Sequence, residues 1–187
     1  MDIQPIAVQI AKLRCFISLI VDDKVDDTKP NRGIRPLPNL ETKFVAANSL
    51  IGIEKPAQMV LRNPAIDAKE KELAEARKKH FTARTHKSKE KYRALDAKLR
   101  AEIGELLRAD GFARETTEKL AMWNPYNQNT AAAFFDPEWM FDLRDGFDIV
   151  IANPPYIEFK KMPSSDKELY ASYSTATGKY DIYVLFI

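Results

Sequence analysis

The apolar residues at the start of the chain repeat with the period of an α-helix. Between Pro5 and Val21, five large aliphatic side chains fall three or four positions apart and share one face: Ile6, Ile10, Leu13, Ile17 and Ile20. Proline is well suited to the first helical turn. The pattern predicts a helix over Pro5–Val21, a polar loop over Asp22–Pro38 and a short strand over Phe44–Ala47.

A long helical segment follows. From Ala65 to Ala109 there is no proline and a single glycine, and good helix formers dominate. Two apolar faces can be drawn, and they consist of Leu73, Ala76, His80 and Ala83, and of Tyr92, Leu95, Leu99, Ile103 and Leu106. Serine and threonine cluster over Thr82–Ser88, which predicts a break there. We therefore expect an antiparallel helical hairpin that ends at Asp110-Gly111.

A second apolar run, Phe147–Ala152, stops at Asn153-Pro154-Pro155-Tyr156. β-branched residues make the run typical of a buried strand, and the two prolines end it. The order helix, loop, strand and later strand predicts an α/β fold. In open α/β sheets, ligands bind at the carboxyl ends of the strands, which is where these four residues are expected.

The four residues after this predicted strand suit a flat molecule that carries an amino group. The side-chain oxygen of Asn153 and the backbone carbonyl of Pro154 can accept both hydrogens of an exocyclic –NH2. Pro155 stiffens the backbone, and the ring of Tyr156 can stack on a planar base.

Charge is distributed unevenly along the chain. The net charge of the 187 residues is only +2, yet Arg77–Arg93 holds eight lysines or arginines and one acid, Glu90. This stretch lies at the predicted tip of the hairpin. Its candidate phosphate contacts are Lys78, Lys79, Lys87 and Lys89. The alternative is an ordinary solvated helix surface.

Other features limit the possible classes of protein. The single Cys15 has no partner for an internal disulfide, and we expect it to be a small buried residue. His80 and His86 are too isolated to predict a metal site. The absence of a signal sequence and of a long apolar run predicts a cytoplasmic protein. The chain goes straight into a helix with no strand before it and closes on the apolar residues Val184–Ile187, which predicts a fragment of a longer protein.

Four further blocks resemble a known family. They are DIQPIAVQIAKLR (2–14), KFVAANSLI (43–51), WNPYNQNTAAAFFDPEWMF (123–141) and YDIYVLFI (180–187). Together with Asn-Pro-Pro-Tyr, they resemble the N6-adenine DNA methyltransferase region of a type IIG-like restriction–modification enzyme, of the NPPY class. The resemblance implies a partial Rossmann-like methyltransferase core, 1–53 and 141–187. Residues 54–140 would form an inserted helical hairpin and an aromatic connector.

The resemblance also implies roles for individual residues. Asn153, Pro154, Pro155 and Tyr156 would be catalytic. S-adenosylmethionine would be bound by Asp2, Ile3, Asn48, Ser49, Leu50, Asn153 and Phe186. Asp2 would accept hydrogen bonds from the ribose, or would instead cap the first helix. Asn48 would contact the cofactor's adenine, or would instead form a turn, and the family often has Asp at this position.

The implied reaction is methyl transfer to an adenine flipped out of double-stranded DNA, in a parent protein that can also carry an endonuclease. Methyltransferases of RNA or of protein glutamine, and a non-catalytic interaction fragment, are the alternatives. The six glycines are scattered, so the family's glycine-rich cofactor loop is not present. We therefore expect the fragment alone to be inactive and to self-associate. Asn124-Pro125-Tyr126 has similar letters but is interpreted as structural.

Overall fold

The structure, a computed structural model, describes residues 2–56, 63–178 and 180–186. The chain divides into an N-terminal unit, 1–145, and a C-terminal unit, 146–187. The α-helices of the described residues are α1 (Pro5–Val21), α2 (Pro64–Thr82), α3 (His86–Ala109), α4 (Arg114–Met122), α5 (Pro137–Phe141) and α6 (Ser164–Tyr170). Short 3₁₀ turns lie at Pro30–Gly33, Phe159–Lys161 and Ile182–Phe186.

Helix α1 has the predicted bounds, but it packs with its polar side inward. Gln9 Nε2 donates to the backbone carbonyl of Gln128 (3.2 Å), and Lys12 Nζ donates to Gln128 Oε1. Val8 is the buried residue of the helix, and Cys15 is only half-buried. The five aliphatic residues of the predicted face are all exposed. The periodic pattern was therefore correct for the helix, and the apolar face points to solvent.

Helices α2 and α3 form the predicted hairpin, with the break at residues 83–85. In the contacts between the helices, the residue numbers rise along α2 while they fall along α3. The contacts are Lys69 to Glu102, Arg77 to Asp96 and His80 to Arg93. Thr85 and Ser88 cap the start of α3 reciprocally, since each side-chain oxygen accepts from the other residue's backbone N–H. The prediction of two antiparallel helices is confirmed.

The core of the N-terminal unit lies between this hairpin, α4 and the aromatic connector. Gly104 of α3 lets α4 approach closely, because a Cβ there would lie 3.2 Å from the Cβ of Ala121. Phe134, Trp139 and Met140 of the connector are buried in the same cluster. Large buried apolar side chains of this kind each stabilise the fold by about 1.5–3 kcal/mol.

A buried ion triad lies at the centre of the hairpin. The fully buried Asp96 carboxylate accepts from Arg77 Nε (2.8 Å) and Arg100 Nε (2.6 Å). Arg77 Nη1 also donates to the Trp139 carbonyl (2.7 Å), and Arg100 Nη1 donates to the carbonyls of Ala121 (2.6 Å) and Trp123. The triad thus joins α2, α3, the end of α4 and α5.

The prediction of an α/β, Rossmann-like fold is wrong, because the described residues are largely helical and contain no sheet. Extended segments meet there only as isolated bridges: Asp2 with Ala46 and Ala47 with Ala132, both parallel, and Glu158 with Asp181, antiparallel. A strand is stable only when neighbouring strands complete its hydrogen bonds. The sequence pattern correctly predicts extended backbone at 46–47, but a pattern in one segment does not specify the neighbouring strands.

The predicted buried strand at Phe147–Ala152 is also wrong. The segment belongs to no strand of the described chain, and Ile149, Val150 and Ile151 are 79%, 76% and 93% exposed. A β-branched run favours extended backbone, but burial requires a second layer to pack against it. Four aromatic residues and Met140 pack on the helical core instead, and the aromatic ones are Phe134, Phe135, Trp139 and Phe141.

Because the triad is buried, removal of its central charge should cause a large loss of stability. Asp96→Asn leaves two guanidinium groups buried without a counter-charge, so we expect unfolding to become easier by about 3–5 kcal/mol. Urea denaturation followed by circular dichroism measures the loss. Glu105→Gln is the matched control on the same helix, since Glu105 pairs with Arg108 at the exposed surface (3.7 Å). Equal stability of the two variants would contradict a central role for the triad.

His80 predicts how stability depends on pH. It is fully buried and its Nε2 accepts from Arg93 Nε (3.3 Å), and burial lowers its pKa from the ordinary value of 6.5. Below pH 6.5 the unfolded chain binds a proton that the folded chain does not bind. Stability should therefore fall as the pH drops from 6.5 towards the lower folded pKa.

His80→Gln should flatten this part of the stability profile relative to the unsubstituted protein. The measurement is the urea midpoint at a series of pH values on both sides of 6.5. His86→Gln is the control for the loss of an imidazole, because His86 is exposed beside Glu90. A pH profile that His80→Gln does not alter would show that burial of this ring does not govern the acid response.

Candidate functional site

The segment Asn153–Tyr156, named here the NPPY segment, is extended and accessible. Asn153 and Pro155 are exposed, Pro154 is half-buried and Tyr156 is 76% exposed. Two consecutive prolines fix two φ angles near −65° and restrict the residue before each. The side-chain oxygen of Asn153 and the carbonyl of Pro154 therefore lie on a stiff piece of backbone that a ligand can reach.

A short antiparallel pairing anchors the chain just after the NPPY segment. Ile182 N donates to the Ile157 carbonyl (2.8 Å) and Phe159 N donates to the Tyr180 carbonyl (3.0 Å). The rings of Phe159 and Tyr180 pack with their centroids 5.1 Å apart, and Lys167 Nζ lies 5.0 Å from the Phe159 ring. These contacts hold the downstream end of the segment against residues 180–182.

The same pairing brings Tyr183 beside Tyr156. Their ring centroids are 5.6 Å apart and the planes are tilted by 47°. Tyr183 was not among the residues expected from the sequence. The signal was present in YDIYVLFI, where two tyrosines stand three positions apart, but only the pairing of the backbone shows which one meets Tyr156. One side of the Tyr156 ring is supported, and most of the ring stays accessible for stacking.

Asp2 lies where parallel backbone segments meet in the N-terminal unit. Ala47 N donates to the Asp2 carbonyl (2.9 Å), and Asp2 Oδ1 accepts from Gln4 N (2.7 Å). The alternative of a helix cap is wrong, because the N-cap of α1 is Gln4 and no side chain caps it. Among the described residues, Asp2 Oδ2 has no hydrogen-bond partner, so it can accept from a hydroxyl group.

Asn48 follows the same backbone segment and forms a turn. Its Oδ1 accepts from Leu50 N (3.1 Å), and its backbone N donates to the Ala132 carbonyl (3.1 Å). Asn48 therefore forms a turn, as the alternative interpretation predicted. Because the oxygen is engaged, the Nδ2 group is the part of the side chain that can contact a ligand, as a donor to a ring nitrogen.

The expected site residues form two groups. Asp2 and Asn48 are neighbours in the N-terminal unit, where Ile3 and Ser49 are exposed and Leu50 is buried. Asn153, Pro154, Pro155 and Tyr156 belong to the C-terminal unit, as does Phe186, which is 38% exposed.

Asn124-Pro125-Tyr126 contacts the hairpin through Tyr126, in agreement with its structural interpretation. Asn124 Oδ1 accepts from Tyr126 N (3.0 Å), and the Tyr126 hydroxyl donates to Asp96 (3.4 Å). The Tyr126 ring packs against His80, with centroids 4.7 Å apart. Burial raises the pKa of the Tyr126 phenol well above its usual range, so the hydroxyl keeps its proton.

The pockets of the N-terminal unit do not coincide with the expected cofactor residues. One cleft of about 620 Å³ is lined by Lys43, Lys78, Phe81 and Met140, and another of about 270 Å³ by Ile53, Phe112 and Trp139. Neither includes Asp2 or Asn48. Within the described ranges, no group of three potential metal ligands occurs and no helix is long and apolar enough to cross a membrane.

A comparison with protein families defines the class. The model of one family of methylases from restriction–modification systems matches the whole chain, residues 1–187. Its members are DNA methyltransferases, and such methylases generally use S-adenosylmethionine. The chain belongs to the Eco57I restriction-modification methylase family. No curated protein and no solved structure matches this chain significantly.

Proposed function

We propose that this chain is part of an adenine-specific DNA methyltransferase of the NPPY class, in a type IIG-like restriction–modification enzyme. The observation that carries the proposal is the accessible NPPY segment, in which a side-chain amide, a backbone carbonyl and a tyrosine ring are adjacent. Membership of the methylase family makes DNA the substrate. We propose that the methylated base is adenine and that the methyl group is added to its N6 nitrogen.

The acceptor chemistry follows from two oxygens. Asn153 Oδ1 and the Pro154 carbonyl would accept the two N–H groups of the adenine amino group. In this arrangement the nitrogen becomes pyramidal, and its lone pair, otherwise delocalised into the ring, can attack. These bonds strengthen as positive charge develops on the nitrogen, so they stabilise the transition state more than the ground state. A nitrogen–carbon bond forms, a sulfur–carbon bond breaks, and one proton leaves the nitrogen for water.

Tyr156 would hold the base. A base inside a duplex is not accessible to these oxygens, so the adenine must be flipped out of the stack. Stacking on an aromatic ring is worth about 1–3 kcal/mol per base. Tyr183 supports the ring at 5.6 Å, and Pro155 limits the movement of the backbone that carries it. We propose that this activity is cytoplasmic, since its substrate is DNA.

S-adenosylmethionine would supply a methyl group on a positively charged sulfur. The residues of the N-terminal unit fit its adenosine part, since Asp2 Oδ2 can accept from ribose hydroxyls and Asn48 Nδ2 can donate to a ring nitrogen. We propose that Ile3, Ser49 and Leu50 contact the same group. The assignment of Asn153 and Phe186 to cofactor binding stays a prediction from the sequence resemblance.

The proposal predicts the effect of Asn153→Ala. Loss of one transition-state hydrogen bond should lower the methylation rate about 10²–10³-fold, a much larger effect than any loss in binding of S-adenosylmethionine. The assay is transfer of labelled methyl groups to duplex DNA by the protein that carries this chain. Mass spectrometry of the nucleosides should find N6-methyladenine.

The matched control is Asn124→Ala, in the similar Asn-Pro-Tyr sequence of the scaffold. Asn124 holds a local turn through Tyr126 N, so its loss should leave the rate near that of the unsubstituted protein. Near-normal turnover of Asn153→Ala would contradict the role of Asn153. Methylated cytosine in place of methylated adenine would contradict the proposed base.

We also propose that the chain self-associates through α1. A 17-residue helix is about 25 Å long, and its exposed aliphatic face exceeds the single apolar side chains that are usual at a surface. A second copy of α1 offers the same face and can cover it by helix–helix packing.

Charged residues on this face should therefore prevent association. We expect Ile10→Glu with Ile17→Glu to shift sedimentation towards the monomer, because the dimer would then bury unpaired carboxylates. The control is Lys24→Glu with Lys29→Glu in the polar loop, which should leave the association constant unchanged. A monomer at all concentrations before substitution would exclude this contact.

A further inference from the structure

The cations of the hairpin differ in what they contact. Near its open end, Lys69 pairs with Glu102 (3.0 Å), Lys98 with Glu102 (3.7 Å) and Arg108 with Glu105 (3.7 Å). Near the tip, two arginines are engaged by the scaffold, since Arg77 belongs to the buried triad and Arg93 pairs with Glu41 (3.2 Å). The segment Arg77–Arg93 contains eight cations, so six remain at the tip.

Most of these six have no carboxylate nearby. Lys78 lies 3.8 Å from Glu75, which makes the weakest kind of surface pair. In the part of the chain that the structure describes, five cations have no acidic partner, and they are Lys79, Arg84, Lys87, Lys89 and Lys91. All of them are exposed or half-exposed. We name Lys78 and these five residues the basic tip.

The backbone under the basic tip is firmly held. The buried Asn39 side chain donates from Nδ2 to the carbonyls of His80 (2.7 Å) and Ala83 (2.7 Å), which end α2. Asn39 N donates to the Phe81 carbonyl (2.9 Å). The Thr85–Ser88 capping box fixes the first turn of α3 on the other side of the break. The backbone that carries the uncompensated charges is thus held in place.

We propose that the basic tip binds the phosphate backbone of double-stranded DNA. Closely spaced like charges without counter-charges repel one another, and a polyanion removes this repulsion and releases its own counterions. Lysine and arginine chains at a fixed tip can reach phosphates without reading the bases. The inference depends on DNA being the substrate, as the family shows, and does not depend on which base is methylated.

The test replaces the four exposed cations that lack an acidic partner. The tip variant carries Lys79→Gln, Arg84→Gln, Lys87→Gln and Lys91→Gln. The control variant removes four cations that have carboxylate partners and therefore has the same net charge. It carries Lys29→Gln, Lys98→Gln, Arg108→Gln and Lys119→Gln. Binding to a fluorescent duplex of arbitrary sequence is measured by anisotropy between about 50 and 200 mM salt.

We expect the tip variant to bind at least about tenfold more weakly at low salt, and its log–log salt slope to be shallower by about three to four. The loss should be the same for unrelated DNA sequences, and the control variant should behave like the unsubstituted protein. An unchanged slope in the tip variant overturns the proposal and leaves the tip solvated or facing an acidic protein. Equal losses in both variants, or no DNA binding before substitution, also overturn it.

This outcome is independent of the methylation test. The tip variant keeps Asn153, Pro154 and Tyr156, and the duplex need not contain a methylation site. If the tip variant binds DNA like the unsubstituted protein while Asn153→Ala still lowers methyl transfer, only the phosphate contact is rejected. If the tip variant binds DNA more weakly while Asn153→Ala stays active, only the role of Asn153 as acceptor residue is rejected.

Discussion

Asp96 accepts hydrogen bonds from two arginines in the interior of the hairpin, and through these arginines the triad joins four segments of the N-terminal unit. Desolvating three charges costs several kcal/mol for each ion, and their attraction offsets this only when the remaining donors are satisfied. In this triad most of the remaining N–H donors are satisfied, because Arg77 and Arg100 donate to the carbonyls of Trp139, Ala121 and Trp123. Those carbonyls lie at α5 or at the end of α4, so the triad also fixes the aromatic connector.

Hydrophobic periodicity predicted the helices better than it predicted what they pack against. The bounds of α1 and the break of the hairpin follow from local propensities. The buried stripe of α3 does not, since it includes Asp96 and Arg100 while the predicted Leu95 is exposed. A polar–apolar pattern assigns charged residues to solvent, and only the partners on other segments reverse that assignment. The same limit applies to α1, whose polar residues contact Gln128.

The candidate site was predictable where its chemistry is local. Asn153, Pro154 and Tyr156 are adjacent in the sequence, so their side chains and carbonyls share a stiff segment whatever surrounds it. The sheet that was expected to carry them depended on strand neighbours, which no single strand pattern specifies, and the described chain has isolated bridges instead. Tyr183 shows the same limit on a smaller scale, because its place beside Tyr156, 27 positions earlier in the chain, depends on the pairing of Glu158 with Asp181.

The hairpin connects the triad to the charged surface. A Lys-rich loop that moved freely would lose conformational entropy on binding a phosphate, and each ordered side chain costs about 0.5–1.5 kcal/mol. Asn39 and the capping box hold the backbone of the basic tip in place, and the triad holds the two helices that lead to it. Only the side chains then remain to be ordered. The buried charge of Arg77 and the half-buried charge of Arg93, which pairs with Glu41, are therefore structural, and the exposed cations beside them are left for an outside anion.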